Sequence, residues 1–539
     1  LALAAVLVLC VIAPPEVRGV SLAAVALFVA IAALATSAIS AGSTAALWMY
    51  VLIPAALVVT RTAIAPGEAV EPVSCLALAA VAGIAAGSAA PAGRRLAWLY
   101  VSLAAFVGGR AVYEALWGLS SWAARVREAT PTAESLAVLN RIEQGRPYAG
   151  FVTPAALGCF LAMTIPAVAA YALGTRGRAR ALGLGAAAVG AGGLVATRSV
   201  TAMVALALAL ALAALKGRVT PRLLAVLGSA IGLAVIVVGL TRPDAVFAPE
   251  RSDSPLRLRA GNIRIALAIA RDHPLAGVGP GGYAEAFPQY RLPGDNESRH
   301  AHDLPAELVA EMGAPLGLLL SALFFWVFLA PVLGAKTDPR TLASGLTVGL
   351  AAFAFHNLVD FTAFVPSLLI VAAVSRGLLA SPVDRVETTA SRRAAWVALS
   401  VAVAAVAAVS GLSRDALYDA REAAAAGDHA AAFASARRAG RLAPWDADPP
   451  MLSAEARLAA QPGEPAPALV DAETAVDRAP SRAAARFTRA RARSAVGDAA
   501  GAYADLVEAA RLYPLRAEYV AQRDALGEAL AKASAAAPR

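Results

Sequence analysis

The chain has 539 residues, of which 59% are hydrophobic and 16% charged, with a mean hydropathy of +0.63. A soluble domain of this length would expose more charge, so the composition excludes an ordinary globular protein and places the chain among polytopic membrane proteins. The formal net charge of +9 does not indicate nucleic acid, because no dense basic helix, interleaved aromatic platform or zinc-ligand spacing accompanies it.

A helix needs roughly 20 apolar residues to cross the hydrocarbon of a bilayer. In chain order, suitable stretches lie near 1–13, 20–40, 44–60, 72–90, 96–117, 150–174, 180–197, 199–215, 222–241, 314–333, 341–358, 361–380 and 394–412. The expected fold is therefore all-α, beginning with a transmembrane helical bundle of about 12–13 spans by the length rule. The first apolar run reads as a membrane helix and not as a cleavable signal. Cys10, Cys75 and Cys159 lie in apolar runs without CxxC pairing and read as small buried hydrophobes.

Basic residues in short loops choose the orientation. Arg94 and Arg95, then Arg176, Arg178 and Arg180, then Lys216, Arg218 and Arg222 form successive clusters. Lys336 and Arg340 follow, and then Arg376, Arg385, Arg392 and Arg393. They fall on every second loop, as they must if all are cytoplasmic. The loops 118–149 and 242–313, and everything after residue 412, are then expected on the other side. ATP and nucleotide sugars are absent there, so any substrate must arrive already activated.

Polar chemistry is concentrated within Leu256–Gly317. His273, His300, His302 and His356, four of the five histidines, lie inside that segment or soon after it. Arg198 falls between two apolar spans, where a charge is expensive and usually functional. Arg259, Arg264 and Arg271 share one predicted helix, on which only Arg271 falls near the face of Arg259; Arg271 reads as a solvated charge. Arg110 and Glu114, at i and i+4, read as a structural ion pair. His356 and Asp360 repeat that spacing and either line a cavity or hold two spans together. Gly277, Gly279, Gly281 and Gly282 form a turn with no preceding strand, so they do not read as a nucleotide loop; they permit a tight return of the chain toward the membrane.

From Ser413 onward Arg, Asp and Glu become frequent and the apolar residues take helical spacing. Gly427, Gly463 and Gly497 are spaced 36 and 34 residues apart, as are Pro444, Pro480 and Pro514. A period near 34 with an inter-helix glycine and a closing proline is the tetratricopeptide pattern. The expected organisation is a membrane domain over 1–412, with a functional core at about 140–380, and a soluble α-solenoid of tetratricopeptide-like repeats over 413–539. Stacked hairpins make concave surfaces, so a protein or peptide partner is expected there.

Several motifs occur in a fixed order. Arg146-Pro-Tyr-Ala-Gly150-Phe151 leads to Pro154, and Thr197-Arg198-Ser199 forms a turn between spans. Arg259, Arg264, His273-Pro274, Gly277-Val278-Gly279 and Tyr283 follow, then His300-Ala-His302-Asp303 with Glu311-Met-Gly313, and finally His356-Asn-Leu-Val-Asp360. In this order they resemble the O-antigen ligase and polymerase family of membrane glycosyltransferases, although Ile263 stands where the family usually has Trp. The resemblance implies transfer of a glycan from a polyprenyl-diphosphate carrier to an acceptor hydroxyl, outside the bacterial cytoplasmic (inner) membrane. It implies that Arg198 and Arg259 contact the diphosphate, and that His302 is the family's essential histidine. Arg146 and Arg264 enter as further substrate contacts, and His300 as the alternate to His302.

The chemistry suits these residue types. Guanidinium groups stay charged and bind phosphate oxygens bidentately, each charged hydrogen bond being worth about 1.5–3 kcal/mol. An imidazole titrates near neutral pH and can take the proton of an attacking hydroxyl. Histidines at i and i+2 without further ligands do not make a metal site, and no cofactor is expected. The expected partners are a polyprenyl-diphosphate-linked glycan, membrane lipid and a protein held by the repeats. Ligation to a lipid core, polymerisation of repeat units and O-glycosylation of protein share this chemistry. From other classes, a lipid-linked glycan flippase would need polar residues at mid-membrane depth and broken helices in two matching halves, and a non-catalytic assembly scaffold would act through the repeats alone.

Overall fold

The computed structural model describes residues 1–16, 18–34, 38–40, 66–88, 93–128, 139, 142–219, isolated positions from 221 to 236, 254–334, 338–379, 385–387, 389–461 and 463–536. The span expected near 44–60, and most of that near 222–241, lie outside these residues. The described chain is helical apart from two three-residue strands. These are β1 (Ala38–Ser40) and β2 (Arg385–Glu387), paired antiparallel with Ile39 opposite Val386.

The first helices are α1 (Ala2–Ile12), α2 (Gly19–Leu34), α3 (Pro66–Ser88) and α4 (Gly93–Tyr113). A π turn (Glu114–Gly118) carries α4 into α5 (Leu119–Glu128), so helix continues well into the loop expected to begin at 118. Next come α6 (Pro154–Gly174), α7 (Gly177–Ala196) and α8 (Val200–Leu215). The segment richest in polar residues supplies α9 (Pro255–Asp272), α10 (Tyr283–Tyr290) and α11 (Leu304–Met312). Then follow α12 (Ala314–Leu333), α13 (Leu342–His356), α14 (Pro366–Gly377) and the 36-residue α15 (Ala390–Ala425).

Among the described residues six helices are long and apolar enough to cross a membrane, fewer than the 12–13 expected from runs of apolar residues. They are Ala69–Ser88, Arg95–Glu128, Pro154–Gly174, Gly177–Ala196, Ala314–Leu333 and Ala390–Ala425. The remaining apolar helices, α1, α2, α8, α13 and α14, are shorter. The 12 residues of α14 rise about 18 Å, against a hydrocarbon thickness of about 30 Å. The span expected near 44–60 and most of that near 222–241 lie outside the described residues, and for α14 the shortening has a local cause. Ser199 and Thr341 cap the starts of α8 and α13 through their side-chain oxygens, and the run from 361 spends Thr362–Phe364 in a 3-10 turn before Pro366 opens α14. Composition counts these residues as span; the backbone uses them as caps and turns.

The centre of the bundle is α6, buried along nearly its whole length and packed against α4, α7, α8, α13 and α14. Thr153 caps it by accepting from the Ala156 amide, and Pro154 occupies its first turn. Small residues let the backbones approach closely. A Cβ added at Gly345 or Gly349 of α13 would lie 2.3 or 2.0 Å from the carbonyl oxygens of Pro166 and Met163. One end of the bundle gathers the starts of α6, α8 and α14 with the ends of α7 and α13; Arg176, Arg178, Arg180, Lys216 and Arg340 stand beside the opposite termini.

Beyond α15 the chain forms α16 (His429–Leu442), α17 (Asp448–Ala460), α18 (Ala466–Arg478), α19 (Ala483–Ala495), α20 (Ala499–Leu512) and α21 (Ala517–Ala536). Each packs against the next, giving a run of helical hairpins. Asp428 and Asp498 cap α16 and α20 just after the left-handed Gly427 and Gly497. Pro444, Pro480 and Pro514 fall in the turns that end α16, α18 and α20. The buried faces of these hairpins consist largely of alanine.

Candidate active site

At the end of the bundle where α7 meets α8 and α13 meets α14, Asp360 joins two distant parts of the chain. Its side chain is 1% exposed. Arg259 Nη2, from α9, lies 3.4 Å from Oδ2, and His302 Nδ1, just before α11, lies 3.4 Å from Oδ1. The first is a long hydrogen bond; the second is a close approach without hydrogen-bond alignment, His302 Nδ1 being buried without a well-aligned partner. Burial pushes the Asp360 carboxyl up, but His302, His356 and Arg259 together outweigh it and hold the group well below the usual carboxylate range. A carboxylate whose ionised form is favoured, set between a guanidinium and an imidazole, fixes both.

The loop that presents His302 is held by several independent contacts. Asp303 caps α11, its Oδ1 accepting from the Ala306 amide at 2.8 Å, and the Leu304 amide donates to the Asn357 carbonyl at 3.0 Å. Asn357 Oδ1 also accepts from the Ala363 amide at 2.6 Å, so one side chain ties the 357–363 turn while its backbone ties α11. Phe361 lies between the two histidines: His300 stacks on it at 4.5 Å and His302 meets it edge-on at 4.8 Å. His300 Nδ1 is 2.7 Å from Glu307, whose other oxygen accepts from the Ala301 amide. These contacts make His300 a brace for the loop, and it is His302 that faces Asp360.

The Gly-rich turn crosses beneath this loop. Gly277 and Gly279 have positive φ, and the Val278 and Gly279 amides donate to the carbonyls of Ala310 and Glu311 at 3.0 and 2.8 Å. A Cβ on Gly277 would sit 2.2 Å from the Glu311 carbonyl carbon, so only glycine allows the approach. Glu311 lies beneath the turn and accepts from the Tyr283 amide. Burial, reinforced by Glu307, pushes its carboxyl up to about 8.

Arg198 and Arg146 belong to a second, interlocked pair of turns. Arg146 Nε donates to the Thr197 carbonyl at 2.9 Å, and Arg198 Nη1 donates to the Gln144 carbonyl at 3.4 Å. The 146–151 loop is anchored in turn by Glu114 of the π turn, which accepts from the Tyr148 and Ala149 amides while pairing with Arg110. The expected Arg110–Glu114 pair is thus present and also carries a loop; π turns often occur at functional sites. The two halves of the site meet through His356, buried between Thr201 of α8 at 3.3 Å and Thr362 at 3.1 Å. Of the two open readings for the His356–Asp360 pair, His356 ties elements together and Asp360 faces the charged groups.

Backbone strain marks the same places. Among the described residues the non-glycine positions with left-handed backbone are Ala149, Arg198 and His302, at φ 45°, 50° and 57°. Such conformations cost about 1–3 kcal/mol each and persist where the surroundings over-determine them, often at functional sites. Arg264 stands apart: its Nη2 is 2.5 Å from Asp295, on the side of α9 away from Asp360. Asp360 is the residue that motif reading undervalued. Its signal was present as His356-Asn-Leu-Val-Asp360, but sequence spacing could not show that Arg259, 101 positions away, would reach it.

Residues 185–321 match the family model described as O-antigen ligase. That stretch is similar to an O-antigen ligase domain. The matched stretch contains Arg198, Arg259, Arg264, His300 and His302; Arg146 precedes it and Asp360 follows it. The match supports a membrane glycosyltransferase-like role, and the six apolar helices among the described residues support a multi-pass membrane protein. No curated protein matches the chain.

Proposed function

We propose that this O-antigen ligase-like protein transfers a glycan from a polyprenyl-diphosphate carrier to an acceptor hydroxyl, at the extracytoplasmic face of the bacterial inner membrane. One observation carries the reading: a buried Asp360 brings Arg259 and His302 together, and His356 beside it reaches Thr201, three residues past Arg198. The sidedness is supported by the basic residues beside the opposite helix termini, the arrangement that the positive-inside rule assigns to the cytoplasm.

In this reading Arg259 and Arg198 hold the diphosphate. Asp360 engages Arg259 on its Nη2 side, and a guanidinium carries five N–H donors in a planar fork suited to phosphate oxygens. His302 takes the proton of the acceptor hydroxyl, with Asp360 orienting the ring through Nδ1. The acceptor oxygen attacks the anomeric carbon from the face opposite the phosphate. The carbon–oxygen bond to the diphosphate breaks, its electrons leave with the diphosphate, and the proton ends on His302, so the anomeric configuration inverts. Fixed positive charge that meets the developing charge of the leaving group is the kind of stabilisation that contributes most to such reactions. Arg146 shapes the Arg198 turn, and His300 braces the His302 loop.

The acceptor is a lipid core, a growing polymer or a protein hydroxyl, all attacked by the same chemistry. The helical hairpins after residue 412 act as tetratricopeptide-like repeats that hold a protein partner, as the spacing of Gly427, Gly463 and Gly497 supports. The test is glycan transfer by His302→Ala and Arg259→Ala, read as surface glycan on gels and as consumption of lipid-linked donor in vesicles. Loss of both signals supports the assignment. Normal glycan from both variants removes it.

A further inference from the structure

The C-terminal hairpins reach back onto the loop that follows α9. Arg482, at the start of α19, is 2.9 Å from Glu285 of α10, and α20 packs against α10. Arg291 Nη1 donates to the Tyr513 hydroxyl at 3.1 Å, and that hydroxyl donates to Glu297. Arg291 also lies over the Tyr513 ring, 5.9 Å from its centroid.

Behind these contacts a continuous chain of hydrogen bonds leads to α9. Arg291 Nη2 donates to the Asp295 carbonyl at 2.9 Å, and Asp295 Oδ2 accepts from the Leu292 amide at 2.8 Å and from Arg264 Nη2 at 2.5 Å. Arg264 lies on the helix that carries Arg259. At the far end of α9, Asp272 lies beside Tyr290, the last residue of α10, and the Tyr290 hydroxyl helps hold the Asp272 carboxyl below its usual range. Ile265 and Ile269 of α9 share a small core with Tyr283 and Phe287 of α10. The loop thus grips α9 at two points, and the C-terminal helices grip the loop.

We propose that the C-terminal helices are a positioning element for the transfer reaction: through Glu285–Arg482 and Tyr513–Arg291–Asp295–Arg264 they fix α9, and so set Arg259 against Asp360. This rests on the glycosyl-transfer reading of the site. Arg264 is then a positioning residue and not a substrate contact. The arrangement couples whatever the hairpins bind to the placement of the guanidinium that meets the diphosphate, since a partner that strains the Arg482 or Tyr513 contacts loosens α9.

The test uses the full chain in lipid nanodiscs with Glu285→Arg, Tyr513→Phe and Arg264→Gln, and Glu285→Asp as the conservative control. Hydrogen–deuterium exchange of residues 255–297 is measured without substrate, and steady-state transfer is measured with a polyprenyl-diphosphate-linked glycan. Glu285→Arg and Tyr513→Phe are expected to raise exchange across 283–297 severalfold. All three disruptive variants are expected to lower kcat about tenfold with little change in KM for the donor, while Glu285→Asp recovers most of both signals. Wild-type exchange in Glu285→Arg and Tyr513→Phe would overturn the latch. Raised exchange with unchanged kcat would overturn its positioning role. Wild-type chain that shows the latch by exchange yet transfers no glycan would sink the glycosyl-transfer reading, and the positioning role with it.

Discussion

Two buried aspartates, Asp360 and Asp505, meet arginines in different ways. Asp505, on α20, is 3% exposed and saturated: Arg489 binds it through two nitrogens at 2.8 and 2.6 Å, Arg493 at 3.0 Å and Arg486 at 3.5 Å. Those arginines share α19, so one carboxylate clamps two adjacent helices. Asp360 is buried as deeply, yet Arg259 and His302 both stand at 3.4 Å, its short bond comes from the Phe361 amide at 2.9 Å, and the backbone at His302 is left-handed. Saturation with short, redundant bonds is what a structural clamp needs. Long contacts and stored strain suit a group whose partners must also engage something else. Burial and charge alone do not distinguish the two sites; the number and distance of the side-chain partners do.

The largest expected effects test the Asp360 side of this contrast. His302→Ala and Asp360→Asn are each expected to lower glycan transfer by about 10²–10⁴-fold, the usual range for a general base and its support. Initial rates on a lipid-linked donor measure this, and a loss under threefold in either variant would break the contrast. Arg259→Lys keeps the charge and loses the planar fork, so a loss of about tenfold is expected, smaller than for Arg259→Ala. Equal losses in Lys and Ala would show that fork geometry matters here and charge alone does not suffice.

On the other side, Asp505→Ala leaves three arginines around an emptied clamp. It is expected to destabilise the C-terminal hairpins by about 3 kcal/mol, seen as proteolysis of the region after residue 412 at lower denaturant. Its effect on transfer should not exceed that of the latch variants. A loss comparable to that of Asp360→Asn would erase the distinction between clamp and site.

The smallest expected effect concerns Glu311. Its carboxyl is raised to about 8, so between its unfolded value and that pH the folded protein binds more protons than the unfolded chain. Stability contributed by the neutral form is present at low pH and lost as pH rises toward and past about 8. Glu311→Gln, which stays neutral, should flatten the fall in Tm between about pH 5 and pH 9. Parallel wild-type and variant curves would contradict the assignment.

Much of the site was legible in sequence because its parts lie in local motifs. Motifs single out Arg259 and His302, and the structure brings both to one carboxylate. The glycine spacing indicates a tight return of the chain, and the close approach of Gly277 to the Glu311 backbone is one. What escaped was long-range or depended on the backbone. Asp360 gains its role from a helix far away in sequence, and Arg264, carried by its motif position, points to Asp295 instead. The count of spans suffered from a related problem. The run near 199–215 becomes a helix over nearly its whole length, but that near 361–380 spends Thr362–Phe364 in a 3-10 turn and starts its helix only at Pro366, which shortens it. Hydropathy records side chains, whereas a span is limited by where its backbone can cap.

The most direct test of the central claim is single-turnover transfer by purified Asp360→Asn with a polyprenyl-diphosphate-linked glycan, alongside donor binding by the same protein. Donor that binds within a few-fold of the wild-type affinity but turns over about 10²-fold or more slowly is the predicted result. Turnover at the wild-type rate would contradict the account, because Arg259 and His302 would then not need the carboxylate that holds them together.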